Sequence, residues 1–377
     1  MNPTYFNFTT EKENDIVKKR KDMIKFFVLK GSNMSFSLEK RERIKKYILE
    51  KVEGKQANIV KKTATAFNIS SNTVYRYIKE LERDNIIKKS ERYIKFVEKQ
   101  KLFRLYRSRG ELLEEDKIYV KCIEQYLKKL PDNVQQIWEY SFTEMMNNAI
   151  DHSGADKVDI MIFQNYIKTT ILIDDNGIGI FRKIKEYYNY KSLDDAVSEL
   201  FKGKLTTDSK NHSGEGIFFT SRILDGFVVL SDGKLFTHDK YCEMFNDLKN
   251  IEPLKKWKDR EGTIILMELS NFSNKVLKEV FDMFSDVDGG FTKTHIPLKN
   301  IFDTYPVSRS QAKRLCQRFD KFAQVELDFQ GVDEIGQGFA HEIFVVFQRN
   351  HPNVELIPVN MTDEVKKMIS HVKKTSL

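Results

Sequence analysis

The chain has 377 residues, 40% of them hydrophobic and 31% charged, with a formal net charge of +8, so two or three globular domains are expected rather than one. The nearest approach to a membrane span, residues 23–29, is short and broken by Lys25, so neither a transmembrane segment nor a secretory signal is expected, and a cytoplasmic location is. Three distant cysteines, Cys122, Cys242 and Cys316, exclude a disulfide scaffold, a paired zinc site and a dithiol redox motif.

The charge is unevenly placed. Residues 1–109 hold 28 Lys and Arg against 13 Asp and Glu, while the remainder holds 35 against 42. A basic front on an acidic remainder points to a polyanionic partner for the front alone. Residues 1–36 lack periodicity and are expected to be a weakly ordered lead-in. From 37 to 97 the pattern becomes helical. Ile44, Tyr47 and Ile48 share one face before Gly54, a second helix covers 59–67, and Ser70 or Ser71 caps a third that buries Val74, Ile78 and Leu81. Ile86-Ile87 and residues 93–97 read as short strands joined by Lys88-Lys89-Ser90-Glu91-Arg92. This is the order of a winged helix-turn-helix, whose third helix enters the DNA major groove. Its solvent side would offer Ser71, Asn72, Thr73, Tyr75, Arg76 and Lys79 to base edges and phosphates, with Lys88, Lys89 and Arg92 of the wing on the backbone. Double-stranded DNA is the expected partner of residues 37–97, with a protein-docking module as the alternative.

Residues 98–117 read as a charged linker, helical in part. A helix over 118–130 stops at Pro131, and a long one runs from about 134 to 152. Strands are expected at 157–163 and 169–174, a loop and helix over 180–213, a helix from Ile217, and strands at 227–230 and 263–269, with 237–260 as an insertion. A linker over 271–289 then separates the 118–270 domain from a last one, 290–377, that alternates strand and helix at 325–329, 338–347, 354–358 and 362–372.

Three separated motifs in 118–270 carry chemistry. Glu144-Met145-Met146-Asn147-Asn148-Ala149-Ile150-Asp151-His152 lies on the long helix, where a spacing of four stacks Glu144, Asn148 and His152 on one face. A carboxylate and an amide oxygen so placed suit a magnesium ion and a base for water. Asp175-Asn176-Gly177-Ile178-Gly179 follows an apolar strand. Its carboxylate can accept from the exocyclic amine of adenine, and its glycines let the backbone turn close to a base. Ser213-Gly214-Glu215-Gly216 opens a helix whose bare amides can hold phosphate oxygens.

In this order and on these elements the motifs resemble the GHKL superfamily of gyrase, heat-shock chaperone, histidine kinase and MutL ATPases. The resemblance covers 115–270 and implies ATP and Mg2+ as cofactors. It implies that Asn148 is the magnesium ligand, Glu144 the catalytic base, and Asp175 the adenine reader with Gly177 and Gly179 beside it. Gly214 and Gly216 match the phosphate-loop glycines, and Thr263 matches a threonine that backs the aspartate through a hydroxyl or water. The stretch 180–212 matches the lid, with Lys202, Lys204 and Lys210 as phosphate partners. His152 follows Asn148 by four, as in the small anti-sigma-factor kinases, and no histidine precedes it to serve as an autophosphorylation site.

Ser308-Arg309-Ser310-Gln311-Ala312, Leu327-Asp328-Phe329 and Ile335-Gly336-Gln337-Gly338-Phe339-Ala340 resemble a bacterial STAS-like domain of unknown function over 290–377. Related anti-anti-sigma proteins carry a phosphorylatable serine at the start of the next helix, where this chain has Gly336-Gln337-Gly338. The expected fold class is a multidomain α/β chain: winged helix-turn-helix, α/β sandwich GHKL ATP-binding domain, then STAS-like α/β domain. The expected function is that of an ATP·Mg-binding, DNA-binding regulator of transcription whose nucleotide state controls DNA or partner binding, with either slow hydrolysis or ATP sensing by lid closure. The alternatives are a serine/threonine kinase acting on a separate partner, and an ATP-dependent stress or phage-defence sensor whose winged helix binds protein. A protein partner for the GHKL or STAS-like domain, and a homodimer, fit these readings.

Overall fold

The computed structural model describes residues 36–90, 93–112, 114–205, 214–238, 253–286, 290–302 and 305–375. These fall into two compact units, one drawn from Met1–Lys101, Ile162–Thr169 and Ser270–Asn274, the other from Leu102–Met161, Thr170–Leu269 and Lys275–Leu377.

The first unit holds α1 (Leu38–Glu53), α2 (Ile59–Phe67), α3 (Ser71–Arg83) and an antiparallel pair, β1 (Ile87–Lys89) and β2 (Ile94–Phe96). Local chemistry sets the helix ends. Ser37 accepts from the Lys40 amide, Ser70 accepts from the Thr73 amide, and Asn68 in the left-handed region closes α2. Ile44 and Ile48 of α1, Ile59 of α2, Val74, Tyr77 and Ile78 of α3, and Ile87 of β1 form one core, each aliphatic side chain contributing about 1.5–3 kcal/mol by burial. Lys45 pairs with Glu80 at 2.9 Å, tying α1 to α3.

A six-stranded sheet runs in the order β3-β4-β5-β8-β6-β7, with β3 (Lys99–Tyr106), β4 (Lys157–Gln164), β5 (Lys168–Asp175), β6 (Gly226–Ser231), β7 (Lys234–Thr237) and β8 (Thr263–Ser270). β6 lies antiparallel to both β7 and β8. The connector expected over 98–117 is helical in part, at Arg107–Arg109 and from Glu115, but its first half is the strand β3, which was not expected. Its Lys99, Lys101 and Arg104 mask the strand pattern, and charge is what an edge strand carries to prevent further pairing. Arg104 is bidentate to Asp159 of β4, at 2.8 and 3.0 Å.

Nearly every residue of β5 and β6 is buried, so both faces of the sheet are covered. On one face Leu172, Val228, Leu230, Ile264 and Leu266 pack with Leu254 and Trp257, which come from helical turns at Leu254–Asp259 inside the stretch expected to be an insertion. The helix expected over 118–130 is two pieces, α4 (Glu115–Cys122) and a short turn Glu124–Leu127, and Pro131 then occupies the N-cap of α5 (Asp132–Asn147). α6 (Ile180–Tyr187) and α7 (Leu193–Lys202) follow β5, and α8 (Gly216–Ile223) packs on α5.

The expected linker 271–289 contains α9 (Leu277–Phe284), whose Phe281 and Phe284 rings meet Phe219 and Phe218 of α8 at 4.3 and 5.0 Å. Its apolar residues recur at helical spacing, so it is part of the packed unit. Beyond it, β9 (Lys293–Pro297), β10 (Gln324–Asp328) and β11 (Glu355–Val359) form a parallel sheet in the order β11-β10-β9. Helices α10 (Arg309–Leu315), α11 (Gln337–His341, continued by a π turn) and α12 (Asp363–Lys374) connect or follow these strands. Among the described residues no helix is long and apolar enough to cross a membrane.

Candidate functional site

A cavity of about 350 Å³ opens between α5, α6, α8 and the ends of β5 and β8. One wall is the end of α5, which continues through a π turn at Asn148–His152. A π turn fits an extra residue into the helix and is often found where side chains must be re-aimed at a site. Glu144, Asn148 and His152 all line the cavity.

The second wall is the turn after β5. Asp175 is 3% exposed, and its Oδ1 accepts the Gly177 amide at 2.8 Å and the Thr263 amide at 3.3 Å. Burial pushes this carboxyl up to about 6 against the pull of those two donors. Gly177 passes so close to Ser153 that a side chain would strike its backbone, and Gly179 has φ +87. The Thr263 hydroxyl accepts from the Ile180 amide at 3.1 Å. The threonine thus holds Asp175 through its main chain, and its hydroxyl fixes the start of α6.

The third wall is Gly214 and Gly216. The Leu205 amide donates to the Gly214 carbonyl at 3.0 Å, and the Glu144 carboxylate occupies the space where a Gly216 side chain would start.

The lysines fall differently from the sequence pattern. The Lys204 ammonium donates to the Lys321 carbonyl at 3.0 Å and lies over the Phe291 and Phe322 rings. Burial pulls its pKa down. Lys202 is fully buried in an ion pair with Glu199. Lys210 and Ser213 lie outside the described residues. The lysine that lines the cavity is Lys183 of α6, whose ammonium donates to the His152 carbonyl at 2.6 Å. Its signal in the sequence was position: Ile180, Lys183 and Ile184, three and four apart, share a face of the helix that opens after Gly179.

On α3, Ser71, Asn72, Tyr75, Arg76 and Lys79 are exposed and Thr73 half-buried, opposite buried Val74, Tyr77, Ile78 and Leu81. Lys88 and Lys89 are exposed on β1, while Arg92 lies outside the described residues.

Residues 311–366 match the family described as a STAS-like domain of unknown function (DUF4325). That stretch runs from α10 into α12 and includes β10 and β11. The chain is therefore a mixed α/β protein with a STAS-like region near its C-terminal end. No curated protein matches the chain.

Proposed function

We propose that the cavity binds ATP with magnesium in the manner of a GHKL domain, and that the chain is a nucleotide-controlled regulator acting on double-stranded DNA through a winged helix at its N-terminal side. The observation that carries this reading is the convergence of Glu144, Asn148, Asp175, Gly214 and Gly216 on one cavity. Each fits a part of the cofactor. Asp175 keeps one carboxylate oxygen on two amides and lines the cavity, as an acceptor for the exocyclic amine of adenine must. Gly214 and Gly216 present backbone without side chains, which suits phosphate. Asn148 offers a single hard oxygen, and among the described residues no three His, Cys, Asp or Glu gather into a metal cluster. Such a sparse set suits magnesium, which keeps its waters and takes most ligands from phosphate.

When bound, ATP supplies an electrophilic γ-phosphorus. Glu144 would orient the attacking water and take its proton, Asn148 would hold the metal, and Asp175 would set the register of the base. Hydrolysis is slow in this reading, and the regulatory event is closure around the γ-phosphate. The exposed Arg76 and Lys79 face of α3, with Lys88 and Lys89, meets DNA. The rival reading is phosphate transfer to a separate protein. Transfer to the start of α11 has no support, because its N-cap is Gly336 and carries no hydroxyl.

The test is duplex-DNA binding by the full chain with ATP·Mg, with ADP·Mg and without nucleotide, at two salt concentrations. Salt-sensitive binding that shifts with nucleotide supports the regulator. Absence of DNA binding in every state, together with transfer of phosphate to a protein, favours the kinase.

A further inference from the structure

We infer that Arg318, in the STAS-like region, is a positioning residue of the nucleotide cavity, so that this region completes the site and is energetically linked to it. The inference rests on the nucleotide reading above and adds to it a regulator built into the same chain.

The segment 199–205 has two sides. Leu200, Gly203 and Leu205 line the cavity. Glu199, Lys202 and Lys204 instead face residues 314–321. The Arg318 guanidinium donates through Nη1 to Glu199 at 2.9 Å, and through Nη2 to the Gly203 carbonyl at 3.1 Å and to the Lys204 carbonyl. Lys202 pairs with the same Glu199 and donates to the carbonyls of Gln317 at 2.9 Å and Arg314 at 3.3 Å. The Arg314 carbonyl lies in the last turn of α10, where the helix dipole favours a cation, and that of Gln317 in the turn just past its C-cap, Cys316. The Lys202 carbonyl in turn accepts from Thr294 of β9 at 2.7 Å.

One guanidinium therefore holds a carboxylate and two consecutive carbonyls of the cavity-lining segment. The next amide, that of Leu205, donates to the Gly214 carbonyl. The path from Arg318 to the phosphate-side glycine is a continuous run of polar contacts and one short stretch of chain. Its backbone is constrained at both ends, with Arg318 at φ +65 and Lys204 at φ +50, a region non-glycine residues seldom enter. Glu199 is 2% and Lys202 0% exposed. Removing Arg318 leaves a buried carboxylate with one cation instead of two, and two carbonyls without their donor. Because coupling is reciprocal, a partner or modification that moves the 314–321 turn changes ATP affinity, and ATP changes the affinity of that region for its partner.

The test uses the full-length chain and calorimetric binding of ATP·Mg and of adenosine to the wild type, Arg318→Gly, Arg318→Lys and Asp175→Asn. Glycine suits the left-handed backbone at 318, so that variant loses the guanidinium without adding strain. Arg318→Gly is expected to weaken ATP about tenfold while adenosine binds unchanged, since the contact acts on the phosphate side. Arg318→Lys should recover part of the loss, and Asp175→Asn should lose both ligands. Equal binding of ATP by Arg318→Gly and wild type, or parallel loss of ATP and adenosine, overturns the inference. A wild type that binds neither ligand overturns the nucleotide reading itself. If Arg318→Gly does not fold, amide hydrogen exchange in the wild type decides. Slower exchange over 317–321 on adding ATP·Mg is the expected result, and unchanged exchange there overturns it.

Discussion

The Glu144 carboxylate lies against the Cα of Gly216, filling the space that any side chain at 216 would need. The end of one helix and the start of another are thus fitted to each other inside the cavity. Gly216→Ala displaces the carboxylate, and alanine is well tolerated in a helix, so the fold should persist. ATP turnover is expected to fall at least about tenfold with little change in melting temperature. Glu144→Gln should retain ATP binding and lose roughly a hundredfold or more in turnover. Retained turnover in both variants would remove Glu144 from the chemistry.

In the proposed function Asn148 is the amide oxygen that holds the metal. Asn148→Ala should therefore reduce ATP affinity in magnesium to the value measured with excess chelator, and leave magnesium-free binding alone. Titration of ATP with and without Mg2+ checks this. A variant whose affinity still rises with magnesium would place the metal on other ligands.

The pH dependence follows from Asp175. Its folded pKa of about 6 lies above its ordinary value of 3.8, and burial is the largest cause. Folding therefore favours the neutral acid. This group's contribution to stability is fully present below about pH 4 and is lost as pH rises through about 6. If Asp175 accepts from adenine as proposed, binding calls for the ionised form, so ATP affinity should fall as pH drops below about 6. Asp175→Asn stays neutral at every pH. It should melt higher than wild type near neutral pH, with the gap closing at about pH 4, and should not bind ATP. An ATP affinity independent of pH between about 5 and 7.5 would exclude Asp175 as the acceptor.

Arg76 and Lys79 lie on the exposed face of α3. Replacing both with alanine should weaken duplex binding and reduce the slope of log affinity against log salt by about 1.8, since each phosphate contact contributes about 0.9. Val74 and Tyr77, both 0% exposed, serve the core of the same helix. An unchanged slope would move the DNA-binding surface away from α3.

Arg104 holds Asp159, whose side chain is 5% exposed, on the neighbouring strand. Arg104→Ala leaves that carboxylate without its bidentate partner and should lower the urea midpoint by roughly 0.3 M. The drop is modest because the guanidinium is itself half-exposed and Lys157 also approaches Asp159, at 3.3 Å. An unchanged midpoint would mean that β3 is held by its main chain alone.

Where an element's signal was local, the residues made it legible. Ser70 caps α3, Gly54 ends α1, and the apolar spacing of 3.6 over 38–83 places three helices with bounds close to those observed. The three motifs are likewise short: Glu144 lies on the expected helix with Asn148–His152 in a π turn at its end, Asp175 ends its strand, and Gly216 opens its helix. β3 was illegible because Lys99, Lys101 and Arg104 give an edge strand the composition of a linker. α9 carries apolar residues at helical spacing, but the rings that pack on it, Phe218 and Phe219 of α8 and Tyr140 of α5, are distant in sequence, so nothing local separated it from a linker.

The sequence by itself determined the charged division of the chain, the caps and periodicities, and which residues carry hard oxygens, bare glycines and a strand-end carboxylate. These depend on spacing within a turn or two, which the chain specifies locally. Tertiary structure alone decided which lysine enters the cavity. It turned Lys204 and Lys202 toward residues 314–321 and brought in Lys183, and it set Thr263 to hold Asp175 by its amide. A long flexible cation has many places to go, and the choice is made by carbonyls and carboxylates that approach only when distant parts of the chain pack together.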